Sequence, residues 1–223
     1  MIGAMIYKDF AVIKRSAAFY IGLMALYFGM AVAGVFEGTG MLNSFAGMFS
    51  LAIPMACFSV DELARWEKFA ITLPLGRKGV VKARYVMILL LTIGTMLLIV
   101  LLNLALFVFL PSRISSLPAG ILGAVGVSAG CLLVHAIMTP VCFKFGVQKA
   151  RVVVAVTAGV ATMAAVSLSA ITVFPMLGIA AVKGWSPLLG QVSAMVLAGV
   201  VGALLLLLAS YHVALRLYEK KEF

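Results

Sequence analysis

The chain has 223 residues, of which 65% are hydrophobic and 11% charged, and a formal net charge of +10. A soluble domain is roughly 45–50% apolar and about a quarter charged, so this composition excludes a water-soluble fold. No stretch is both long and polar enough for a separate soluble domain, which leaves an all-α integral membrane protein as the fold class.

In chain order, residues 1–15 come first. On a helical wheel Ile2, Ile6, Phe10 and Ile13 share one face, and Tyr7, Lys8, Lys14 and Arg15 another. That pattern predicts an amphipathic helix lying in the inner membrane interface. Six apolar segments follow, at about 16–36, 41–60, 85–110, 118–143, 152–175 and 188–215. Each has at least about 20 residues, enough for the ~30 Å hydrocarbon core at ~1.5 Å per residue. The third, fourth and sixth are long enough to require tilt. Ala31-Val32-Ala33 imitates a signal-peptide cleavage site. The preceding stretch contains Asp9, however, and the run is too long for the apolar region of a signal peptide, so a retained span is expected.

The basic residues set the orientation. One set of flanks holds Lys8, Lys14 and Arg15; Arg65, Lys68, Arg77, Lys78, Lys82 and Arg84; Lys144, Lys149 and Arg151; and Arg216, Lys220 and Lys221. Of the 17 Lys and Arg residues, only Arg113 and Lys183 fall on the opposite flanks. This is a positive-inside signal that puts both chain ends in the cytoplasm and requires an even number of spans. It also explains the net charge without nucleic acid.

The predicted spans contain no Asp, Glu, Lys or Arg. Such residues mark ion paths, proton relays and voltage sensors, so their absence argues against an ion-coupled carrier or a voltage-gated channel. His135 is expected to hydrogen-bond a neighbouring helix, Asn103 to do the same, and Thr139-Pro140 to kink the fourth span. Cys57, Cys131 and Cys142 all sit in apolar runs. An odd count without C-x-x-C spacing gives no disulfide framework and no metal site, so they read as small buried hydrophobes. Small residues at four-residue spacing favour close helix packing. They occur as Ala25, Gly29 and Ala33; Gly126 and Gly130; and Ala194, Ala198 and Gly202. There is no G-x-x-x-x-G-K-[ST] phosphate loop and no G-x-G-x-x-G, so any ATP used must bind another polypeptide.

Between the second and third spans, residues 61–73 form a second amphipathic pattern. Asp61, Arg65, Lys68 and Thr72 share one face; Leu63, Trp66, Ala70 and Leu73 share the other. Asp61 precedes Arg65 by four residues, the orientation that suits a helical ion pair. Leu73-Pro74 then stops the helix. Such a surface helix, with Trp and Arg at its centre, fits docking of a cytosolic subunit. A solvated loop with incidental charges is the plainer alternative.

The segment DELARWEKFAITLPLGRKGVVKARYV, residues 61–86, resembles the signature of a bacterial type-2 ABC exporter permease family, which includes the permeases of phenol-soluble modulin exporters. The matching features are Asp61-Glu62, Trp66-Glu67-Lys68, Phe69, Leu73-Pro74, Arg77-Lys78 and Val81 to Tyr85. The opening Ile6-Tyr7-Lys8-Asp9-Phe10, followed by Lys14, is also similar to the family's.

The resemblance implies a complex of two six-span permeases, identical or paralogous, with two ATPase subunits that carry ATP and Mg; the chain itself needs no cofactor and is not an enzyme. It makes residues 61–73 a coupling helix and assigns Asp61, Glu62, Arg65, Trp66, Glu67, Lys68 and Phe69 to ATPase contact, with Lys144 and Lys149 as a second contact. Ala25, Gly29 and Ala33 are the expected permease–permease packing stripe. The implied location is the bacterial cytoplasmic membrane, and the implied substrates are amphipathic cytolytic or antimicrobial peptides. The 13 Met and 14 Phe suit apolar-faced substrates. Alternatives are efflux of small drugs or ions, an ATP-independent carrier or channel, and a membrane anchor or immunity protein that sequesters a partner.

Overall fold

The computed structural model describes residues 2–35, 40–70, 76–110, 117–153, 155–156 and 186–220. The described elements are helices: α1 (Ile2–Ala33), α2 (Gly40–Leu63), α3 (Trp66–Ala70), α4 (Gly76–Phe109), α5 (Leu117–Phe145) and α6 (Ser186–Glu219). Residues 147–153 are also helical. Four stretches are long and apolar enough to cross a membrane: Leu42–Leu63, Gly76–Phe109, Leu117–Phe145 and Ser193–Glu219. Helix α1 makes a fifth if its two parts count as one, Gly3–Lys14 and Ala18–Ala33, which meet at 60°. The bend falls where the predicted interfacial helix meets the predicted first span. The predicted span at 152–175 lies almost wholly outside the described residues.

Side-chain pairs fix the direction of each helix. Along α2, Asn43 reaches Gly120 of α5, Ser50 reaches His135, and Phe58 packs edge-on against Phe143. Helices α2 and α5 therefore run parallel. Helix α4 runs against α2, pairing Asn103 with Asn43, Thr92 with Ser50 and Arg84 with Asp61. Helix α1 also opposes α2: Lys8 meets Asp61, Tyr20 meets Phe49, and Ala31 clusters with Leu42 and Leu106. Helix α6 opposes α4, with Tyr85 bonded to Ser210 and Arg77 donating to the Glu219 carbonyl. The basic flanks of all these helices thus gather at one end of the bundle.

Burial in this bundle inverts the rule for a water-soluble fold. On α2, Asn43, Gly47, Ser50, Pro54, Cys57 and Asp61 are all buried, at alternating spacings of four and three. Exposed Leu90, Ile93, Leu97, Leu101, Leu104 and Val108 instead run down the outer face of α4. Lipid tails are as apolar as leucine, so burying leucine between helices gains little. Small and polar residues, which pack closely and hydrogen-bond, take the interior. Gly47 is one such close approach: a Cβ there would lie 2.5 Å from Val127 Cγ1.

Pro54 explains the buried histidine. Lacking an N–H, proline leaves the carbonyl four residues earlier, that of Ser50, without its helical donor. A bare carbonyl in a membrane interior is costly. His135 Nε2 supplies the missing hydrogen bond at 3.1 Å, and its side chain is fully buried. The predicted interhelical role of His135 is borne out, and so is that of Asn103. Asn103 Nδ2 donates to Asn43 Oδ1 at 2.9 Å, and Asn43 Nδ2 donates onward to the Gly120 carbonyl at 3.2 Å. Pro140 does lie within α5.

The region after the second span differs from the expected helix over 61–73. Helix α2 continues to Leu63, and Arg65 then takes a left-handed conformation with φ 49°. That residue breaks the helix, and the five-residue α3 restarts at Trp66. Asp61 therefore belongs to the last turn of α2 rather than to a surface helix. Its expected partner Arg65 is exposed. The carboxylate of Asp61 is taken instead by Lys8 and by the buried Arg84. Leu73-Pro74 lies outside the described residues.

Candidate functional site

At the basic end the helices enclose a cavity of about 400 Å³. Its wall combines Asp9, Asp61, Glu62, Arg65, Arg84 and Lys144 with aromatic groups from Phe58, Trp66, Phe143, Phe145 and Tyr218. Every element at this end except residues beyond the described ones contributes: α1, the last turn of α2, α3, the start of α4, the end of α5 and the end of α6.

A set of four charges sits beside the cavity. Arg84 Nη1 donates to Asp9 Oδ2 at 2.9 Å, and Arg84 Nη2 donates to Asp61 Oδ2. Lys8 Nζ lies 2.6 Å from Asp61 Oδ1 and 3.2 Å from Asp9 Oδ1. The side chains of Arg84, Asp9 and Asp61 are only 8%, 5% and 12% exposed. Two acids and two bases cancel, as they must where water is largely excluded, since an unpaired buried charge is strongly unfavourable. Aromatic faces complete the enclosure: the Arg84 guanidinium lies 4.4 Å from the Phe58 ring centroid and Lys8 Nζ 4.5 Å from that of Trp66.

A second junction joins the two loops at this end of the bundle. Helix α5 ends at Phe145, and Gly146 adopts φ 83°, the left-handed geometry that commonly ends helices. The chain restarts as a helix at Val147, whose backbone N–H has no helical acceptor. Glu62 Oε2 accepts that N–H at 2.8 Å. A carboxylate is well matched to a helix N-terminus because the free N–H groups there carry partial positive charge. The φ of Gly146 is what favours glycine here; a Cβ at position 146 would also lie 2.9 Å from Glu62 Oε1, so a larger residue would push the carboxylate aside.

The residues expected to touch an ATPase are therefore distributed unequally. Asp61 is buried and committed to ion pairs, and Trp66 is half-buried against the core. Arg65, Phe69, Lys144 and Lys149 are exposed. Glu62 is exposed as a residue while its carboxylate holds Val147. Glu67 and Lys68 belong to α3, but their side chains lie outside the described residues. The structure does bring the two predicted contact segments together, since Arg65, Trp66, Lys144 and Phe145 border one cavity. Around them stand apolar groups open to the surroundings: Leu63 is 85% exposed, Phe69 55% and Phe145 50%. Lys144 and Lys149 both lie over the Phe145 ring.

The residues that sequence reasoning missed are Lys8, Asp9, Arg84 and Gly146. A signal for the first three was present. Asp9 is the only acid before the first span, and Arg84 abuts the third. Charges that close to the hydrocarbon are unfavourable unless paired. In residues 1–15 the bundle takes up Met5 and Asp9 together, while Tyr7, Phe10 and Lys14 are exposed and Ile6 and Ile13 half-buried, so neither the predicted apolar face nor the predicted polar face is buried as a whole.

The predicted packing stripe of Ala25, Gly29 and Ala33 is exposed along α1, with nothing among the described residues within 4 Å of a Cβ built on Gly29. Among the described residues, the stripes at Gly126 and Gly130, and at Ala194, Ala198 and Gly202, likewise meet no close neighbour at their glycines.

Comparison with curated proteins and with solved structures gave no match. The model of one family, described as ABC-2 family transporter protein, matches residues 4–219. That match takes in the charge set, the cavity and the apolar helices alike, and the chain accordingly belongs to the ABC-2 family of transporter membrane proteins.

Proposed function

We propose that the chain is the permease half of a bacterial exporter of amphipathic peptides, driven from the cytoplasmic face by a separate ATPase that carries ATP and Mg. The ABC-2 family implies an ATPase partner. The observation that carries the rest of the reading is the Glu62–Val147 hydrogen bond. It fastens the segment after the second span to the loop after α5, so that two short loops present one surface. Exposed Leu63, Phe69 and Phe145, bordered by Arg65, Lys144 and Lys149, are the apolar centre and charged rim of that surface.

The topology supports six spans with both ends cytoplasmic. Helices α5 and α6 run parallel and both finish at the basic end, which calls for a returning segment between them, and 152–175 is the apolar stretch available. A second permease, seated on the exposed Ala25-Gly29-Ala33 face, would complete the translocation path, with similarity to phenol-soluble modulin exporters pointing to the substrate class. Outward faces rich in Leu, Phe and Met, without charge, suit an apolar-faced peptide in transit.

The test is reconstitution of the permease with its ATPase in vesicles. Amphipathic helical peptides should raise the ATPase rate and be transported in an ATP-dependent manner. Stimulation by small drugs or ions alone, or transport without the ATPase, would overturn the peptide reading.

A further inference from the structure

We propose that Arg84 is a positioning residue that makes the first half of α1 a third transmission element, beside the two loops that face the ATPase. The proposal rests on the reading of the chain as an ATP-driven permease.

Three observations carry it. Arg84 divides its two terminal nitrogens between different helices, one to Asp9 of α1 and the other to Asp61 of α2. Lys8 repeats the connection from the α1 side and reaches further, its ammonium lying over the Trp66 ring of α3. Displacement of the last turn of α2 is therefore passed to α1 through charge-assisted hydrogen bonds, the strong kind, and displacement of α3 through the Lys8–Trp66 cation–π contact.

The second observation is the 60° bend between Gly3–Lys14 and Ala18–Ala33. The charge set grips only the part before the bend. That part can tilt as a lever against Ala18–Ala33, which packs on α2 and α4 through Met24 and Ala31.

The third is the cavity. Asp9, Asp61 and Arg84 all line it, so these charges border open space rather than closed core. Ion pairs sealed in a dry interior have no room to rearrange. Pairs beside a cavity of about 400 Å³ can separate and re-form as the surrounding helices shift. The two acids and two bases form a closed set, so neutralising one member unbalances the other three.

The experiment uses the permease in lipid nanodiscs with its ATPase. Spin labels are placed at Tyr7→Cys and Lys82→Cys, both exposed and both outside the proposed ATPase contact, in a background lacking the native cysteines. The wild-type chain should give one narrow distance distribution between α1 and α4. Asp9→Asn and Arg84→Gln should broaden it, with or without ATPase present. In the full complex both should lower the amount transported per ATP hydrolysed by about tenfold while the ATPase rate stays near wild type. Arg84→Lys, which keeps charge and loses the two-way fork, should recover part of the coupling.

A purely structural anchor would reduce folded yield without changing transport per ATP. A narrow distribution and unchanged coupling in Asp9→Asn would overturn the proposal even if Arg84→Gln does not fold. Absence of any ATP-dependent transport in the wild-type chain would fail the permease reading instead, and the label distances would still decide whether Arg84 holds α1.

Discussion

Helix α2 is held by different chemistry at its two ends. Near Asn43 the contacts are neutral: an amide chain runs from Asn103 through Asn43 to Gly120, and His135 serves the Ser50 carbonyl further along. Near Asp61 the contacts are ionic, through Lys8 and Arg84, and they border a cavity. Neutral hydrogen bonds satisfy polar groups where only lipid and protein are near. Charges serve where they are paired and a neighbouring cavity leaves them room to be exchanged. The neutral end fixes register, and the ionic end is suited to movement.

The largest expected effect is at the ionic end. Arg84→Leu leaves Asp9 and Asp61 buried without a guanidinium between them and should cost about 3–5 kcal/mol in unfolding free energy. Thermal unfolding in mild detergent reads it directly. Gly146→Ala comes next. Its φ of 83° and the contact with Glu62 should together cost about 1–3 kcal/mol and weaken ATPase stimulation. Proteolytic sensitivity of the loop after α5 provides the check.

At the neutral end Asn103→Leu should cost about 0.6–1.7 kcal/mol, the range for hydrogen bonds between membrane helices. His135→Phe, which leaves the Ser50 carbonyl bare, should fall in the same range, and reversible unfolding in bicelles measures both. The smallest effect is on the outer face of α4. Leu101, 61% exposed, should tolerate Ala within about 0.5 kcal/mol. If Leu101→Ala matched Asn103→Leu, the assignment of polar groups to the interior and leucine to lipid would be wrong.

Much of the architecture could be read from the residues because a bilayer imposes a simple rule: long uncharged runs cross it and basic flanks gather on one side. Helices α2, α4, α5 and α6 follow that rule closely. His135 and Asn103 were legible for a related reason, since polar groups within lipid must find partners in neighbouring helices. The segment after Asp61 was misjudged because the helical wheel sees only local spacing. Arg65 stood at the right distance to pair with Asp61, yet Lys8 and Arg84, far away in sequence, reach it in the folded chain. The break at Arg65 has no local signal either, since arginine is not a turn residue and its φ of 49° cannot be read from its neighbours in sequence. The junction at Gly146 was hidden for the opposite reason: a glycine after a helix is a common stop, and only its closeness to Glu62 gives it a second role.

The proposed function requires energy to enter through the single surface made by the two loops that Glu62 joins. The most direct measurement places photo-crosslinking residues at Phe69 and Phe145 in the reconstituted exporter during ATP-dependent transport. Both positions should link to the same ATPase polypeptide, and Glu62→Gln should lower the yield at Phe145. Active transport with no link to the ATPase from either position would contradict it.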